Sequence, residues 1–350
     1  MSNNSQPNNG VPAKPANYRR LTDDDLFRHS SQYRFWSFTP DQLKQKRVEI
    51  NAQAVASVEE SLRRFITEHR ESLGDEEMRT IEEKAVPVNM EEEVKLVNFY
   101  AKKVQAIAQR LNLPTEIVAT AITFFRRFFL ENSVLEIEPK TIVFTTIFLA
   151  CKSENYFIGI DSFAAKTKGS KTEILKYEFK ILESLKFCLM NHHPYKALHG
   201  FFLDIQVVLH GKVDLKYMGQ IYDRCKRRIT NALLTDVVYY YAPPQITLAV
   251  LMLEDEALTT RYLELKFHGN TESEKPNQDT GVSINFDKLI SMINSCKDVI
   301  ENATSVPVEE AKAIMAKVLY SRNPQVLLNK LKRKNSSESP EDSPDKRLKT

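Results

Sequence analysis

The most apolar stretch of the chain lies near its middle and predicts a helix that is buried on all sides. Residues 142–154 read IVFTTIFLACKSE, and between Ile142 and Cys151 only two threonines are polar. A helix that is apolar on nearly every side has to be covered on every side, whereas a bilayer span needs about 20 apolar residues. The stretch therefore predicts the central helix of an all-α bundle. Its apolar run stops at Lys152, where the core is expected to meet the surface.

The order of predicted helices occurs twice. Pro139 and Pro243 each precede a buried run, and the two prolines are 104 residues apart. In both copies the helices are predicted in the order long, long, buried, short, long. The last long helix of the first copy is predicted from Lys171 to Phe187. A repeat of this length indicates a duplicated domain rather than a solenoid unit. The buried run is followed by KSE in the first copy and by EDE in the second, so we expect the function to depend on one copy.

Changes in composition along the chain predict seven regions. Thr39 and Pro40 have the residue types of an N-cap and a first helical position, and residues 67–90 are rich in Asp and Glu. The single tryptophan, Trp36, lies in an aromatic segment. The predicted regions are a disordered N-terminus ending in this aromatic segment at 1–38, an N-terminal helix at 39–66, an acidic linker at 67–90, the first repeat at 91–190, the second repeat at 191–302, C-terminal helices at 306–331 and a disordered basic tail at 332–350.

Composition excludes several classes of function. The formal net charge of +3 over 350 residues does not favour a dedicated nucleic-acid binder. The four cysteines are far apart without a CxxC pair, which does not support a zinc site and is typical of buried thiols in a reducing compartment. Glycine-rich nucleotide-binding motifs, a secretory signal and a membrane span are also missing from the sequence. We expect no cofactor, no metal, no small-molecule substrate and no membrane association.

Four segments of the chain together resemble the cyclin family, and in particular the cyclins of the CDK-activating kinase. They are SSQYRFWSFTPDQL, FFRRFFLENSVLEIEPKTIVFTTIFLACKSENY, NHHPYKALHGFFLDI and LTDVVYYYAPPQITLAVL. The resemblance covers about residues 30–320, with the motifs in the family's order. It implies two tandem five-helix cyclin boxes with additional helices at both ends.

The same resemblance implies a regulatory subunit rather than an enzyme. Such a subunit binds and activates a cyclin-dependent kinase catalytic subunit, with a RING-finger assembly factor and the core of general transcription factor IIH as further partners. The expected substrates of the assembled kinase are the C-terminal domain of RNA polymerase II and other cyclin-dependent kinases. The nucleus is the expected location.

The resemblance also implies which residues contact the kinase. In cyclins these include a lysine that ends the third helix and a glutamate early in the fifth, which correspond here to Lys152 and Glu178. Leu182 and Phe187 match apolar contact positions on the same fifth helix, and Glu154 matches an acidic position after the lysine. Relatives often have a second acidic residue there, where this chain has an asparagine. Without the resemblance, a lysine in a last helical turn only indicates a favourable interaction with the helix dipole.

Two other functions remain open. A DNA-binding transcription factor of the TFIIB type would share tandem cyclin folds, but it predicts an N-terminal zinc ribbon and a basic face that this sequence lacks. An all-α enzyme would need a catalytic or metal motif, and the histidine pair His192 and His193 precedes a proline without an HExxH pattern. These two histidines are expected to be surface or capping residues.

The C-terminal tail contains two short basic clusters that are candidates for nuclear localisation. The clusters consist of Lys330, Lys332, Arg333, Lys334 and of Lys346, Arg347, Lys349. Ser339 and Ser343, each followed by proline, are candidate phosphorylation sites between the clusters. A tail that only increases solubility is the alternative.

Overall fold

A computed structural model describes residues 23–71, 73–268 and 286–337. These residues form α-helices joined by turns and contain no strand, which confirms the predicted all-α class. Among them, none of the helices combines the length and the apolar character that a membrane span requires.

The helices of the N-terminal region and the first repeat are, in chain order, α1 (Asp23–His29), α2 (Ser31–Trp36), α3 (Pro40–His69), α4 (Asp75–Lys84), α5 (Met90–Arg110), α6 (Thr115–Phe128), α7 (Pro139–Ser153), α8 (Ile160–Thr167), α9 (Lys171–Lys176) and α10 (Glu178–Ser184). The second repeat and the C-terminal region contain α11 (Pro194–Val208), α12 (Leu215–Ala232), α13 (Val237–Tyr240), α14 (Pro243–Glu254), α15 (Glu256–His268), α16 (Phe286–Glu301), α17 (Val308–Arg322) and α18 (Pro324–Ser337).

Helix α7 is the predicted central helix of the first repeat. All its residues from Ile142 to Cys151 are buried except Phe144, which is half-buried. The two threonines satisfy their hydroxyl groups within the core: Thr145 donates to the carbonyl of Ile174 at 2.7 Å, and Thr146 donates to a carbonyl one turn earlier in α7. A buried polar group without such a partner would destabilise the helix, so both threonines are compatible with full burial.

The two repeats share one register in the core. At a spacing of 104 residues, buried side chains of the first repeat correspond to buried side chains of the second. The matching pairs are Ala101 and Ile205, Ile117 and Ile221, Ala121 and Cys225, Phe125 and Ile229, and Ile142 and Ile246. The duplication predicted from sequence is thus also a duplication of the packing.

The predicted single helix from Lys171 to Phe187 is wrong, because the chain forms α9 and α10 with a break at Tyr177. In an uninterrupted helix the carbonyl of Ile174 would accept a hydrogen bond from the backbone of Glu178. Here that carbonyl accepts from the hydroxyl of Thr145 on α7. This competing bond supplies a physical reason for the break, which places Glu178 at the start of a new helix.

The structure also differs from the predicted terminal regions and acidic linker. Residues 67–90 contain α4, whose Ile81 is fully buried against Leu327 and Leu328 of α18. The prediction of a linker considered only the high charge of this segment and missed its short apolar face. Residues 23–36, predicted as part of a disordered N-terminus, form α1 and α2, and Trp36 is buried. Helix α18 extends to Ser337, into the predicted tail. The predictions for residues 1–22 and 338–350 lie outside the described residues.

A half-buried carboxylate joins the N-terminal helix to both repeats. Asp236, just before α13, accepts two hydrogen bonds from the guanidinium of Arg47 on α3, each 2.7 Å long, and one from Arg126 on α6 at 2.6 Å. We call Arg47, Arg126 and Asp236 the Asp236 clamp. Burial alone would raise the pKa of the Asp236 carboxyl, but the hydrogen bonds from Arg47 and the charges of both arginines lower it below its usual value.

Candidate functional site

The end of α7 and the start of α10 meet at the surface of the first repeat. The ammonium of Lys152, in the last turn of α7, forms an ion pair with the carboxylate of Glu178, the first residue of α10. Lys152 also lies over the ring of Phe148, with Nζ 4.7 Å from the ring centroid. The side chain of Lys152 is 47% exposed and that of Glu178 is 21% exposed. The structure therefore brings together two residues that are 26 positions apart in sequence.

Large apolar side chains are exposed on the two segments that carry this ion pair. Phe179, the neighbour of Glu178, is 70% exposed, and its ring meets that of Phe187 edge-to-face at 6.1 Å between centroids. Phe187 is 62% exposed and Phe157, shortly after α7, is 97% exposed. Soluble monomers rarely expose several such groups together unless the surface binds a partner.

We call the surface formed by Lys152, Phe157, Glu178, Phe179 and Phe187 the α7–α10 face. Leu182, the remaining predicted apolar contact, is half-buried and packs against the core beneath this face. Sequence reasoning missed Phe157 and Phe179. An aromatic residue outside the buried stripe of a helix is a sequence signal for an exposed contact residue. In α9 and α10 the buried stripe contains Ile174 and Ile181, and Phe179 lies outside it.

The backbone turn after α10 directs Phe187 outwards. Lys186 and Phe187 both have left-handed backbone angles, with φ of 54° and 55°, a conformation that is costly for residues other than glycine. The Lys186 ammonium lies 3.4 Å from the carboxylate of Glu131 and 5.5 Å from the centroid of the Trp36 ring. These contacts hold the turn, so the N-terminal aromatic segment contributes indirectly to the α7–α10 face.

Glu154 has a different environment from the other predicted contact residues. Its carboxylate accepts a 2.6 Å hydrogen bond from the hydroxyl of Thr120 on α6, and the same hydroxyl lies 2.7 Å from Nε2 of His193. The hydroxyl has one proton, which it donates to Glu154, so the bond to His193 requires the tautomer with a proton on Nε2. This chain of three residues links the end of α7 to the residue that precedes α11.

His193 is half-buried and is the N-cap residue of α11, although its side chain makes no capping hydrogen bond, and His192 is exposed. Both positions agree with the prediction of surface or capping residues. Burial, together with the charge of nearby Arg127, lowers the pKa of His193 to about 3. The imidazole is therefore neutral at physiological pH. It serves as a structural hydrogen-bond donor between the repeats rather than as an acid or a base.

Lowering the pH from 7 to 5 is expected to destabilise the protein through His193. In the unfolded chain this residue has a pKa near 6.5, so it takes up a proton that the folded chain excludes until about pH 3. Its stabilising contribution is therefore complete above pH 6.5 and is lost as the pH falls, by about 2 kcal/mol at pH 5. Urea denaturation measures the free energy of unfolding at pH 7 and at pH 5. The difference between these two values should be smaller for His193→Gln than for the parent chain.

The matched control for this measurement is His199→Gln, because His199 lies on the exposed side of α11. It should retain the full pH dependence of the parent. An unchanged dependence in His193→Gln would contradict the assignment.

The second repeat does not reproduce the α7–α10 face. Glu256 occupies the position that corresponds to Lys152. Two residues before it, Glu254 at the end of α14 accepts hydrogen bonds from Arg224, at 3.1 Å, and from Arg228, both on α12. The end of this central helix is thus occupied by internal ion pairs. This difference agrees with the expectation that the two copies are not equivalent in function.

The described residues offer no group of histidine, cysteine, aspartate and glutamate side chains suited to a metal ion. Three of the four cysteines are buried, and burial raises the pKa of Cys151 to about 11. This thiol is protonated at neutral pH and is packed as part of the core. The arrangement of the α7–α10 face, with one exposed ion pair among aromatic rings, is suited to binding a protein surface.

Comparison with known proteins matches each of the two repeats to a cyclin domain family. The family described as cyclin, N-terminal domain, matches residues 71–190, and the cyclin C-terminal domain matches residues 193–301. Cyclin CCL1 of Saccharomyces cerevisiae is 60% identical over 360 residues, which cover 96% of this chain and 91% of the relative. Cyclin mcs2 of Schizosaccharomyces pombe is 35% identical over 243 residues, which cover 69% of this chain and 73% of the relative.

Two solved structures are similar to this chain over most of its length. One is a chain of the yeast TFIIK (Kin28/Ccl1/Tfb3) complex, with a TM-score of 0.62 and 61% identity, covering 78% of this chain and 99% of the other. The second is a chain of the CAK complex of Chaetomium thermophilum bound to ATP-gamma-S, with a TM-score of 0.72 and 27% identity, covering 94% and 100%. With the family matched in both repeats and across nearly the full length of a relative, the chain belongs to the cyclin family.

Proposed function

We propose that this protein is a cyclin H-type regulatory subunit that binds and activates a cyclin-dependent kinase within a CDK-activating kinase. The observation that carries the proposal is the α7–α10 face: the Lys152–Glu178 ion pair is exposed, Phe179 next to Glu178 and its ring neighbour Phe187 are exposed, and Phe157 shortly after Lys152 in the chain is exposed as well. The subunit itself contributes no catalytic group. The TFIIB-like alternative is not favoured, because an apolar face with paired charges offers little to a phosphate backbone.

Activation by such a surface is a shift of population in the kinase. A kinase requires its conserved lysine–glutamate pair and its activation loop to be in place for phosphoryl transfer. A partner that binds the active arrangement more tightly than the inactive one increases the population of the active arrangement by that difference in affinity. In this proposal the aromatic rings supply apolar contact area, and Lys152 and Glu178 supply hydrogen bonds that fix the orientation of the kinase. Leu182 supports the face from below.

Glu154 was predicted to contact the kinase, and that contact remains a prediction. Its bond to Thr120 supports a positioning role, in which it holds the last turn of α7 and thus the backbone that carries Lys152. This role differs from that of Glu178, whose carboxylate is part of the exposed face.

The similar structures support the identity of the partners. The yeast complex contains Kin28 and Tfb3 beside Ccl1. By analogy, the proposed partners of this chain are a cyclin-dependent kinase catalytic subunit, a RING-finger assembly factor and the core of general transcription factor IIH. The assembled kinase would then act on the C-terminal domain of RNA polymerase II and on other cyclin-dependent kinases, in the nucleus.

The purified chain is expected to show no phosphorylation of an RNA polymerase II C-terminal domain peptide by itself. Activity should appear when a kinase catalytic subunit with low basal activity is added, and it should saturate as the kinase becomes fully bound. The measurement is incorporation of labelled phosphate against the concentration of this chain. Activity that persists in the chain alone after removal of every kinase would overturn the proposal, as would a kinase that binds without being activated.

The C-terminal basic clusters are expected to direct nuclear import. Short basic runs bind acidic import receptors, and phosphate groups at Ser339 and Ser343 would weaken that binding by adding negative charge between the clusters. A cytoplasmic reporter fused to residues 328–350 should accumulate in the nucleus. Replacing both serines by aspartate should reduce the accumulation.

The control reporter carries alanine at all seven basic positions of the clusters. An even distribution of the original fusion, indistinguishable from this control, would leave the tail as a solubilising segment. Entry of the full chain into the nucleus would then depend on its partner.

A further inference from the structure

The outer face of α5 in the first repeat is covered by α17 of the same chain. Apolar residues Ile314 and Val318 of α17 are buried in the core cluster that contains Leu96 of α5. Polar groups at the edges of this contact are paired between the two helices. The pairs are Lys95 with Glu310 at 2.8 Å, Glu92 with Lys317, and the hydroxyl of Tyr100 with Sδ of Met315 at 2.9 Å.

In the part of the chain that the structure describes, the corresponding face of α11 in the second repeat is exposed. The repeat spacing of 104 residues gives five exposed residues of α11 counterparts on α5, and two of these counterparts, Glu92 and Lys95, pair with α17. The five residues are Lys196, His199, Gly200, Leu203 and Val207, which correspond to Glu92, Lys95, Leu96, Phe99 and Lys103. Their spacing of three and four residues puts them on one side of the helix. We call these five residues the α11 face.

The α11 face is apolar towards its C-terminal end. Leu203 is 49% exposed and Val207 is 74% exposed, although both are aliphatic. Leu96 in the first repeat is 1% exposed, whereas a Cβ added at its counterpart Gly200 would meet nothing within 4 Å. The absence of a side chain at this position lets the backbone of another helix approach closely. In shape and apolar character the face therefore suits a helix like α17.

The charges at the edge of the face define what that helix must carry. Lys196 replaces Glu92, so the position that α17 fills with Lys317 requires a carboxylate in a partner of α11. His199 and Lys212 add further basic character at the surface. The acidic residue of the same helix, Asp204, is engaged by the hydroxyl of Tyr262 and by Lys266, at 2.9 Å, on α15. The exposed polar groups of the α11 face are thus basic.

We propose that the α11 face is a docking site for an acidic amphipathic helix of a protein partner. Such a helix would place apolar residues at one-turn intervals on Leu203 and Val207, as helix-in-groove ligands do, and a carboxylate on Lys196. The site lies in the second repeat, whereas the α7–α10 face lies in the first. The inference therefore goes beyond the proposed activation of a kinase and does not depend on it.

The test uses two fluorescent peptides and the full-length protein. One peptide has the sequence of residues 308–322, and the other has the same sequence with Lys317→Glu. Fluorescence anisotropy should show that the charge-reversed peptide binds the parent protein about tenfold more tightly than the unmodified peptide. Val207→Asp should weaken binding of the charge-reversed peptide by about tenfold.

A charge exchange gives the sharpest result. Lys196→Glu recreates the charge of the first repeat, so it should reverse the preference in favour of the unmodified peptide. Lys140→Glu makes the same charge change at an exposed position of α7 and should leave the preference unchanged. Binding that ignores both Val207→Asp and Lys196→Glu would overturn the proposal, because the peptide would then be displacing α17 from α5. The proposal also fails if neither peptide binds at protein concentrations up to about 1 mM.

Discussion

The double variant Lys152→Ala, Glu178→Ala is expected to lose most of its ability to activate a kinase while it remains folded. In the free protein the ion pair is partly exposed, and a pair of this kind contributes about 0–1 kcal/mol to stability. Under a bound kinase the same groups would be desolvated, and truncating a buried hydrogen-bonded charge costs about 2–5 kcal/mol of binding free energy. The concentration for half-maximal activation should therefore rise by about 30-fold or more.

The chain offers a matched control on the same helix. Lys180 and Glu183 of α10 also form an exposed ion pair, with 3.5 Å between Nζ and Oε2, but they lie outside the α7–α10 face. Replacing both by alanine removes the same charges and should leave activation unchanged. Equal activation by the two double variants would exclude the Lys152–Glu178 pair from the interface. Early melting with normal activation once folded would give the pair a structural role only.

Asp236→Ala is expected to destabilise the whole protein by about 3–5 kcal/mol, the usual cost of breaking a buried charge pair from one side. Arg126, whose side chain is 3% exposed, would keep its charge without a carboxylate, and Arg47 would lose both of its hydrogen bonds to the second repeat. Guanidinium denaturation should show a lower midpoint with a similar slope. The exposed Asp223 of α12 provides the control, since Asp223→Ala should change stability by less than about 0.5 kcal/mol.

The pH dependence provides a second readout of the Asp236 clamp. The pKa of the Asp236 carboxyl is lower in the folded chain than its usual value. Its stabilising contribution is therefore present above the unfolded pKa, near 3.9, and is lost as the pH falls through the folded value. Asp236→Asn should remove this acid-range loss while keeping the shape of the side chain. A destabilisation below about 1 kcal/mol for Asp236→Ala would contradict this prediction. It would show that water solvates the charges of Arg47 and Arg126 when the carboxylate is removed.

The central helices could be predicted from sequence because their pattern is local. An apolar run such as Ile142–Cys151 has to be buried whatever surrounds it, and the proline spacing of the two repeats needs no knowledge of contacts. Thr39 and Pro40 likewise start α3 as predicted, with Thr39 accepting from the backbone of Gln42. These features depend on residues within one or two turns of each other.

Other features could not be predicted because they depend on distant contacts. The break at Tyr177 depends on Thr145, 29 residues before the carbonyl it binds. Helix α4 is stabilised by Leu327 and Leu328 at the far end of the chain. In the candidate site, the family resemblance predicted Lys152 and Glu178 as kinase contacts, and the structure shows that the two side chains form an ion pair. The resemblance did not predict the hydrogen bond of Glu154, because its partner Thr120 lies on another helix.

The exposed rings of the α7–α10 face affect the expected steady-state level of this protein in a cell. A copy without its partner presents Phe157, Phe179 and Phe187 to solvent, and surfaces of this kind favour aggregation and recognition by quality-control factors. Binding a kinase would hide these rings. If the proposed pairing holds, the steady-state level of this chain should follow the supply of its kinase, with surplus copies turned over faster than paired ones.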